Sequence, residues 1–367
     1  MLLIFQQSSG KEKNLEVYYR IYKIIKVGLM NKNRRYVCVF VILIILVLVA
    51  LTLNLLIGNI SIDLKTVWDV ITGAATDDKK RNIIMNIRLP RTIMAFVLGG
   101  GLAVAGFLLQ TYFSNPIAGP YILGVSSGAK MMVALLLIFV ARGSGHTTGY
   151  MLILAAFTGS IIATGFIILI SKKVKNMGAL LAAGIMIGYI CSAITDFLIA
   201  FAEDTDIVNL HSWSQGSFSG ATMEGAVYCI VTIGIAMLFV MLLSKSLDAL
   251  RLGESYARSV GVNVKICRGM IILLSSILSA CVTAFAGPVS FIGIAVPFLM
   301  REALKSSKPV VLIPASFLSG AIFCLFSDLL ARMMFAPTEL NISAVTSLFG
   351  APIVIFMIVR RQSRREN

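Results

Sequence analysis

The chain has 367 residues, 58% of them hydrophobic and 13% charged, with a mean hydropathy of +0.90. A soluble domain is about 45–50% apolar and about 25% charged, so a water-facing globule is excluded and the length does not count soluble domains. The formal net charge of +15 is no nucleic-acid footprint either, because the Lys and Arg lie in short stretches between apolar runs rather than on one folded polar face.

In chain order, residues 1–36 form a basic, partly apolar tail. No small-residue cleavage site follows an apolar core there, so a removed signal peptide is not expected. Met30 opens Met-Asn-Lys-Asn-Arg-Arg-Tyr, a conventional start for a helix-first membrane protein. Translation from Met1 and from Met30, with residues 1–29 an extension, both stay open.

A helix needs about 20 apolar residues to cross a hydrocarbon core of about 30 Å. Runs of that kind lie at 37–57, 92–113, 121–141, 149–170, 179–202, 226–243, 270–286, 310–334 and 343–359. A tenth, shorter segment from Val289 to Met300 follows Gly287-Pro288 and contains Gly293 and Pro297, which predicts a short or broken helix. The expected fold is therefore all-α, a polytopic membrane protein of about ten helices spanning 37–360, with a basic tail at 361–367.

With the N-terminus inside, the inner segments hold 23 Lys and Arg and the outer ones 8, six of those between 58 and 91 and the others Arg142 and Arg332. The opposite orientation inverts that bias, so both termini are expected to be cytoplasmic.

Gly124-Val-Ser-Ser-Gly128-Ala-Lys130-Met131 lacks the G-x-x-x-x-G-K-[ST] spacing of a phosphate loop, so the chain is not expected to bind ATP. His146 and His211, expected in outer loops, have no carboxylate or cysteine company, which argues against an enzyme. Cys38, Cys191, Cys229, Cys267, Cys281 and Cys324 show no C-x-x-C spacing, so no metal and no cofactor is expected.

Ionisable residues inside the membrane are functional candidates by default; here they are Lys130, Asp196 and Asp328. Arg332 follows Asp328 at i+4, and the two can pair on one helix face. Lys130 lies near the inner end of its helix and can snorkel. Asp196 has no local cation, which leaves two readings: a place facing an aqueous pathway, which is preferred, or a hydrogen-bonded structural carboxylate. Gly99, Gly101, Ala103 and Ala105 provide small-x-x-x-small spacings that let helices approach closely in lipid.

Eight stretches, taken together and in order, resemble the FecCD family, the permeases of iron-siderophore, haem and vitamin B12 importers. They are Arg88-Leu-Pro-Arg91, Gly106 to Gln110 with Asn115-Pro-Ile-Ala, Leu123 to Gly128, Trp213 to Gly220, Leu252 to Gly261, Ala286 to Gly293, Asp328 to Arg332 and Gly350-Ala-Pro352. The resemblance implies a ten-helix subunit that pairs with a second permease copy or paralogue around a central pathway. It also implies two ATPase subunits on the cytoplasmic side and an extracytoplasmic binding protein outside.

Further, the resemblance implies that Gly253, Glu254, Ala257, Arg258 and Gly261 couple the permease to the ATPase, in two short helices broken at Gly253. Arg88, Arg91 and Arg332 would dock the binding protein. An iron-siderophore complex is the expected cargo, with haem or cobalamin as the alternative. An ion-coupled secondary transporter, which needs an intramembrane ion network, is the rival class. Two positions depart from the family pattern: Phe298 stands where a His is common, and Lys130 where a small residue is usual.

Overall fold

The computed structural model describes residues 32–74, 77–140, 148–174 and 176–366. The possible start at Met30, most of the tail, Arg142 and His146 lie outside the described residues. The chain divides into residues 1–45, whose described part is the beginning of the first helix, and residues 46–367, which hold everything else.

Among the described residues the secondary structure is helical throughout. Helix α1 spans Lys32–Leu56. A short amphipathic helix α2 (Leu64–Thr72) follows, capped by the Asp63 carboxylate on the Thr66 N–H and closed by Gly73 in the left-handed conformation. Helix α3 is continuous from Asp78 to Tyr112, 35 residues, with a π-helical stretch over Ile83–Arg88. At 1.5 Å per residue it is roughly 50 Å long, so its first turns project beyond a bilayer core of about 30 Å.

Helix α4 (Val125–Leu135) starts after Gly124 and continues as a π-turn to Val140. Then come α5 (Gly149–Lys173), α6 (Met177–Ile199), the short α7 (Asp204–Ser214) and α8 (Met223–Leu242). Two short helices, α9 (Ser244–Arg251) and α10 (Glu254–Ser259), precede α11 (Val264–Ala286), and the chain ends with α12 (Ile292–Leu304), α13 (Pro309–Met333) and α14 (Ile342–Glu366).

Eight of these are long and apolar enough to cross a membrane: α1, α3, α5, α6, α8, α11, α13 and the apolar part of α14, Ile342–Val359. Each of the other two expected segments falls on a shorter helix, α4 or α12. Two helices were not legible as apolar runs, α2 and α7. His211, expected in a loop, lies in the last turn of α7.

The centre of the bundle is α3. Of its most apolar window 89% is buried, against 17% for α6, and α13, α11, α12 and α8 pack around it. The small residues explain how. A Cβ on Gly99 would stand 2.7 Å from the Gly320 carbonyl oxygen of α13, and one on Gly101 2.8 Å from Ile233 of α8. At Gly106 the approach is backbone to backbone, since a Cβ there would lie 1.8 Å from the Gly293 oxygen of α12. Such contacts replace the hydrophobic drive that lipid does not supply.

Candidate functional site

Each end of α3 gathers a polar cluster. At one end, α1 finishes, α3 begins and α13 finishes. Arg88 and Arg91 were expected just before the second apolar helix; they lie inside α3, because its helical hydrogen bonding starts well ahead of the apolar run.

Arg88, Arg91 and Arg332 are only 4%, 6% and 8% exposed. Arg88 donates to the carbonyls of Leu55 at 2.6 Å and Leu56 at 2.9 Å, and also to that of Ile60. It thereby satisfies carbonyls that the end of α1 leaves unpaired. Arg91 forks onto Asp328 at 3.0 and 3.2 Å and reaches Glu339 at 3.1 Å. Arg332 pairs with Asp328 at 3.3 Å, the i+4 contact anticipated from the sequence, and donates to Asn54 at 2.6 Å. Asn54, fully buried, donates in turn to Leu325 of α13 at 3.2 Å.

Buried charges are tolerable when paired and hydrogen-bonded, and here every charge is engaged within the chain. The three guanidiniums for which a docking role is expected are turned inward and hold α1, α3, α13 and the loop carrying Glu339 together. Glu339 and Asn54 were not singled out from the sequence, since neither lies near its partner in the chain.

At the opposite end lies the segment between α8 and α11. Its helices break at Gly253, as expected, with φ 116 and ψ 155. Only glycine populates that region. Gly261 closes α10 with φ 84. Ala257 is fully buried, against Ala249 and Val264. Glu254 bonds Arg268 of α11 and, at 3.5 Å, Arg258. The Arg268 guanidinium in turn lies 6.0 Å from the ring centroid of Tyr112, the last residue of α3, so a contiguous set of contacts runs from α10 to the central helix. Leu252 before the break, Tyr256 on α10 and Val260 just after it stay exposed.

Asp196 is exposed on α6. Its carboxylate has no hydrogen-bond or ion-pair partner among the described residues. Lys130, half-buried on α4, is likewise unpartnered among them. Phe298 lines a cavity with Gln110, Arg251 and Arg301.

Several of the sequence stretches turn out to touch one another. Gln110 donates to the carbonyls of Gly293 at 3.2 Å and Ile294 at 3.1 Å. Gly216 and Gly287, both with positive φ, meet so closely that a Cβ on Gly287 would stand 2.8 Å from the Gly216 Cα. A Cβ on Gly350 would stand 2.4 Å from that of Phe291. Gly106, Gly216, Gly287, Gly293 and Gly350 are thus points where helices and turns meet closely.

Comparison with known proteins bears on the same arrangement. The sequence profile of the FecCD transport family matches residues 43–360. The chain is 34% identical over 309 residues to the hemin transport system permease protein HmuU of Yersinia pestis, covering 84% of this chain and 91% of that one. It is 33% identical over 277 residues to the vitamin B12 import system permease protein BtuC of Salmonella typhi, covering 76% and 83%. A solved structure described as an inward-facing conformation of a metal-chelate type ABC transporter superposes with a TM-score of 0.78 at 27% identity, over 88% of this chain and 99% of that one. With its apolar helices and this match over most of its length, the chain belongs to the FecCD transport family, whose members are multi-pass permeases of the cell membrane.

Proposed function

We propose that the chain is the membrane-spanning subunit of an ATP-driven importer, and that it carries an iron-siderophore complex into the cytoplasm by alternating access. The observation that carries the coupling part of this reading is the Gly253-framed pair of short helices. It presents Leu252, Tyr256 and Val260 outward while Glu254 and Arg268 tie it to α11. Exposed apolar side chains on and beside a short helix fit a groove in a partner protein, and the partner proposed is an ATPase dimer. Gly253, Glu254, Ala257, Arg258 and Gly261 are the proposed coupling residues.

This places the α9–α10 end in the cytoplasm, with both termini inside and ten crossings, α4 and α12 included. The arginine cluster then lies at the outer end. Docking of an extracytoplasmic binding protein is proposed for that end, with Arg88, Arg91 and Arg332 acting as positioning residues that hold the loops at 57–63 and 334–341.

An ionised carboxylate facing lipid is costly, yet α6 exposes Asp196 on a helix that is mostly uncovered. That supports an aqueous pathway between α6 and a second permease, identical or paralogous. The similarity to HmuU and BtuC favours a second reading of the cargo, haem or cobalamin. The test is uptake of radiolabelled ferric siderophore into cells lacking and regaining this gene, with excess haem and cobalamin as competitors. Gene-dependent uptake that neither competitor displaces supports the siderophore; displacement by one of them transfers the assignment to it.

A further inference from the structure

A helix turns about 100° per residue, and at that step the apolar side chains of α2 share one arc of about 160°. In order round the helix they are Val70, Val67, Ile71, Leu64 and Trp68, while Lys65, Thr66, Asp69 and Thr72 fill the rest. Only part of the arc is covered by the protein. Val67 and Val70 are buried with Ile62 and Ile84, against Leu55, Leu56 and Ile83. Leu64, Trp68 and Ile71 are 62%, 66% and 56% exposed. Large apolar side chains left open side by side mark a surface that meets something other than water.

The second observation is the level at which α2 is held. The apolar run of α1 begins at Val37, after Arg34 and Arg35, and ends with the helix at Leu56. At 1.5 Å per residue that run rises about 30 Å, one hydrocarbon thickness. Leu55 and Leu56, on which α2 packs, are therefore where α1 leaves the hydrocarbon. Tryptophan, apolar in body with a single N–H donor, is favoured at that boundary. Charge gives no preference among lipids, because Asp63, Asp69, Asp77 and Asp78 balance Lys65, Lys79, Lys80 and Arg81 over this stretch.

We propose that α2 is an interfacial helix, with Leu64, Trp68 and Ile71 seated among the headgroups and first acyl methylenes of the bilayer and Lys65, Asp69 and Thr72 turned to water. Helices of this kind bury an apolar face at the membrane surface, and a charge-balanced polar side leaves the seating indifferent to headgroup charge. Arg88 pins the linker to α2 through the carbonyls of Leu55, Leu56 and Ile60, so the lipid boundary bears on the same end of the bundle as the arginine cluster. Such seating needs only that α1 and α3 cross the membrane; neither the cargo nor the ATPase enters into it.

The test uses the full chain in phosphatidylcholine nanodiscs. The sequence has two tryptophans, so Trp213→Phe leaves Trp68 as the reporter. Its fluorescence is read against lipids brominated near the headgroup, lipids brominated near the chain ends, and aqueous iodide. Expected are the strongest quenching from bromines near the headgroup and iodide quenching roughly threefold weaker than for free tryptophan. Replacing half the lipid by phosphatidylglycerol should change neither. Ile71→Glu should weaken the lipid quenching and strengthen that by iodide, whereas Lys65→Glu, on the polar side, should leave the lipid quenching as it was. Should Trp213→Phe fail to fold, the difference between the native chain and Trp68→Phe gives the same reading. A Trp68 as open to iodide as free tryptophan and untouched by brominated lipid overturns the proposal. So does shielding from lipid and iodide alike, the mark of a second protein chain on this face. Quenching that rises toward the chain ends, that requires phosphatidylglycerol, or that responds equally to the two charge variants overturns it as well.

Discussion

Replacing Asp328 by Asn removes one negative charge from a site that holds two buried guanidiniums and changes almost nothing in shape. Asp328 is 1% exposed and accepts from Arg91 at 3.0 Å and Arg332 at 3.3 Å. After the change only Glu339, whose side chain is 39% exposed, remains as a counter-charge. Breaking a buried pair by removing one partner costs about 3–5 kcal/mol. At about 2 °C per kcal/mol for a chain of this size, the unfolding temperature should fall by roughly 6–10 °C. The assay is thermal unfolding of the purified protein in one detergent, followed by tryptophan fluorescence and by aggregation onset.

A second arm makes this quantitative. Arg332→Leu should also destabilise, and adding Asp328→Asn to it should cost much less than Asp328→Asn alone, because the remaining Arg91 keeps Glu339. Contacting residues are where additivity fails. A drop under about 2 °C for Asp328→Asn, or strict additivity in the double variant, would refute the view that this cluster is a buried charge network.

Three further outcomes follow from the geometry. Gly253→Ala should abolish uptake at normal membrane insertion and more severely than Gly261→Ala, since its conformation is closed to a side chain; equal, mild effects on ATP-driven uptake would contradict the framed-helix account. Glu254→Arg places a third cation beside Arg258 and Arg268 and should uncouple hydrolysis from transport, which parallel ATPase and uptake rates would detect. Asp196→Asn should lower uptake at unchanged expression and melting temperature, whereas a variant that transports normally would leave the residue without a pathway role.

The helices were legible where an apolar run marks them, and the small residues foretold close packing without naming partners. Gly99 could have met any neighbour; that it meets Gly320 is a tertiary fact. The arginines show why the site was only half readable. Asp328 and Arg332 are four residues apart and their pairing could be read from spacing. Arg91 and Asp328 are 237 residues apart, and nothing local signals their meeting. Likewise α2 escaped notice because it is only nine residues long, far short of the about 20 that mark a crossing. The break at Gly253 was expected from the family resemblance of Leu252 to Gly261, whereas Gln110 meets two carbonyls of α12 from far along the chain, which nothing local signals.

Charge reversal at Arg88 and Arg91 would test packing before docking, because both are buried. The most direct test of the whole account is therefore energetic. The chain is reconstituted into proteoliposomes with and without its partner ATPase, and uptake of labelled chelate delivered by the binding protein is measured with ATP, with a non-hydrolysable analogue and with neither. Uptake that requires both the ATPase and hydrolysable ATP is predicted, with Gly253→Ala hydrolysing ATP but importing nothing. Uptake that persists without the ATPase and follows an imposed ion gradient would contradict the account and make the chain a secondary transporter.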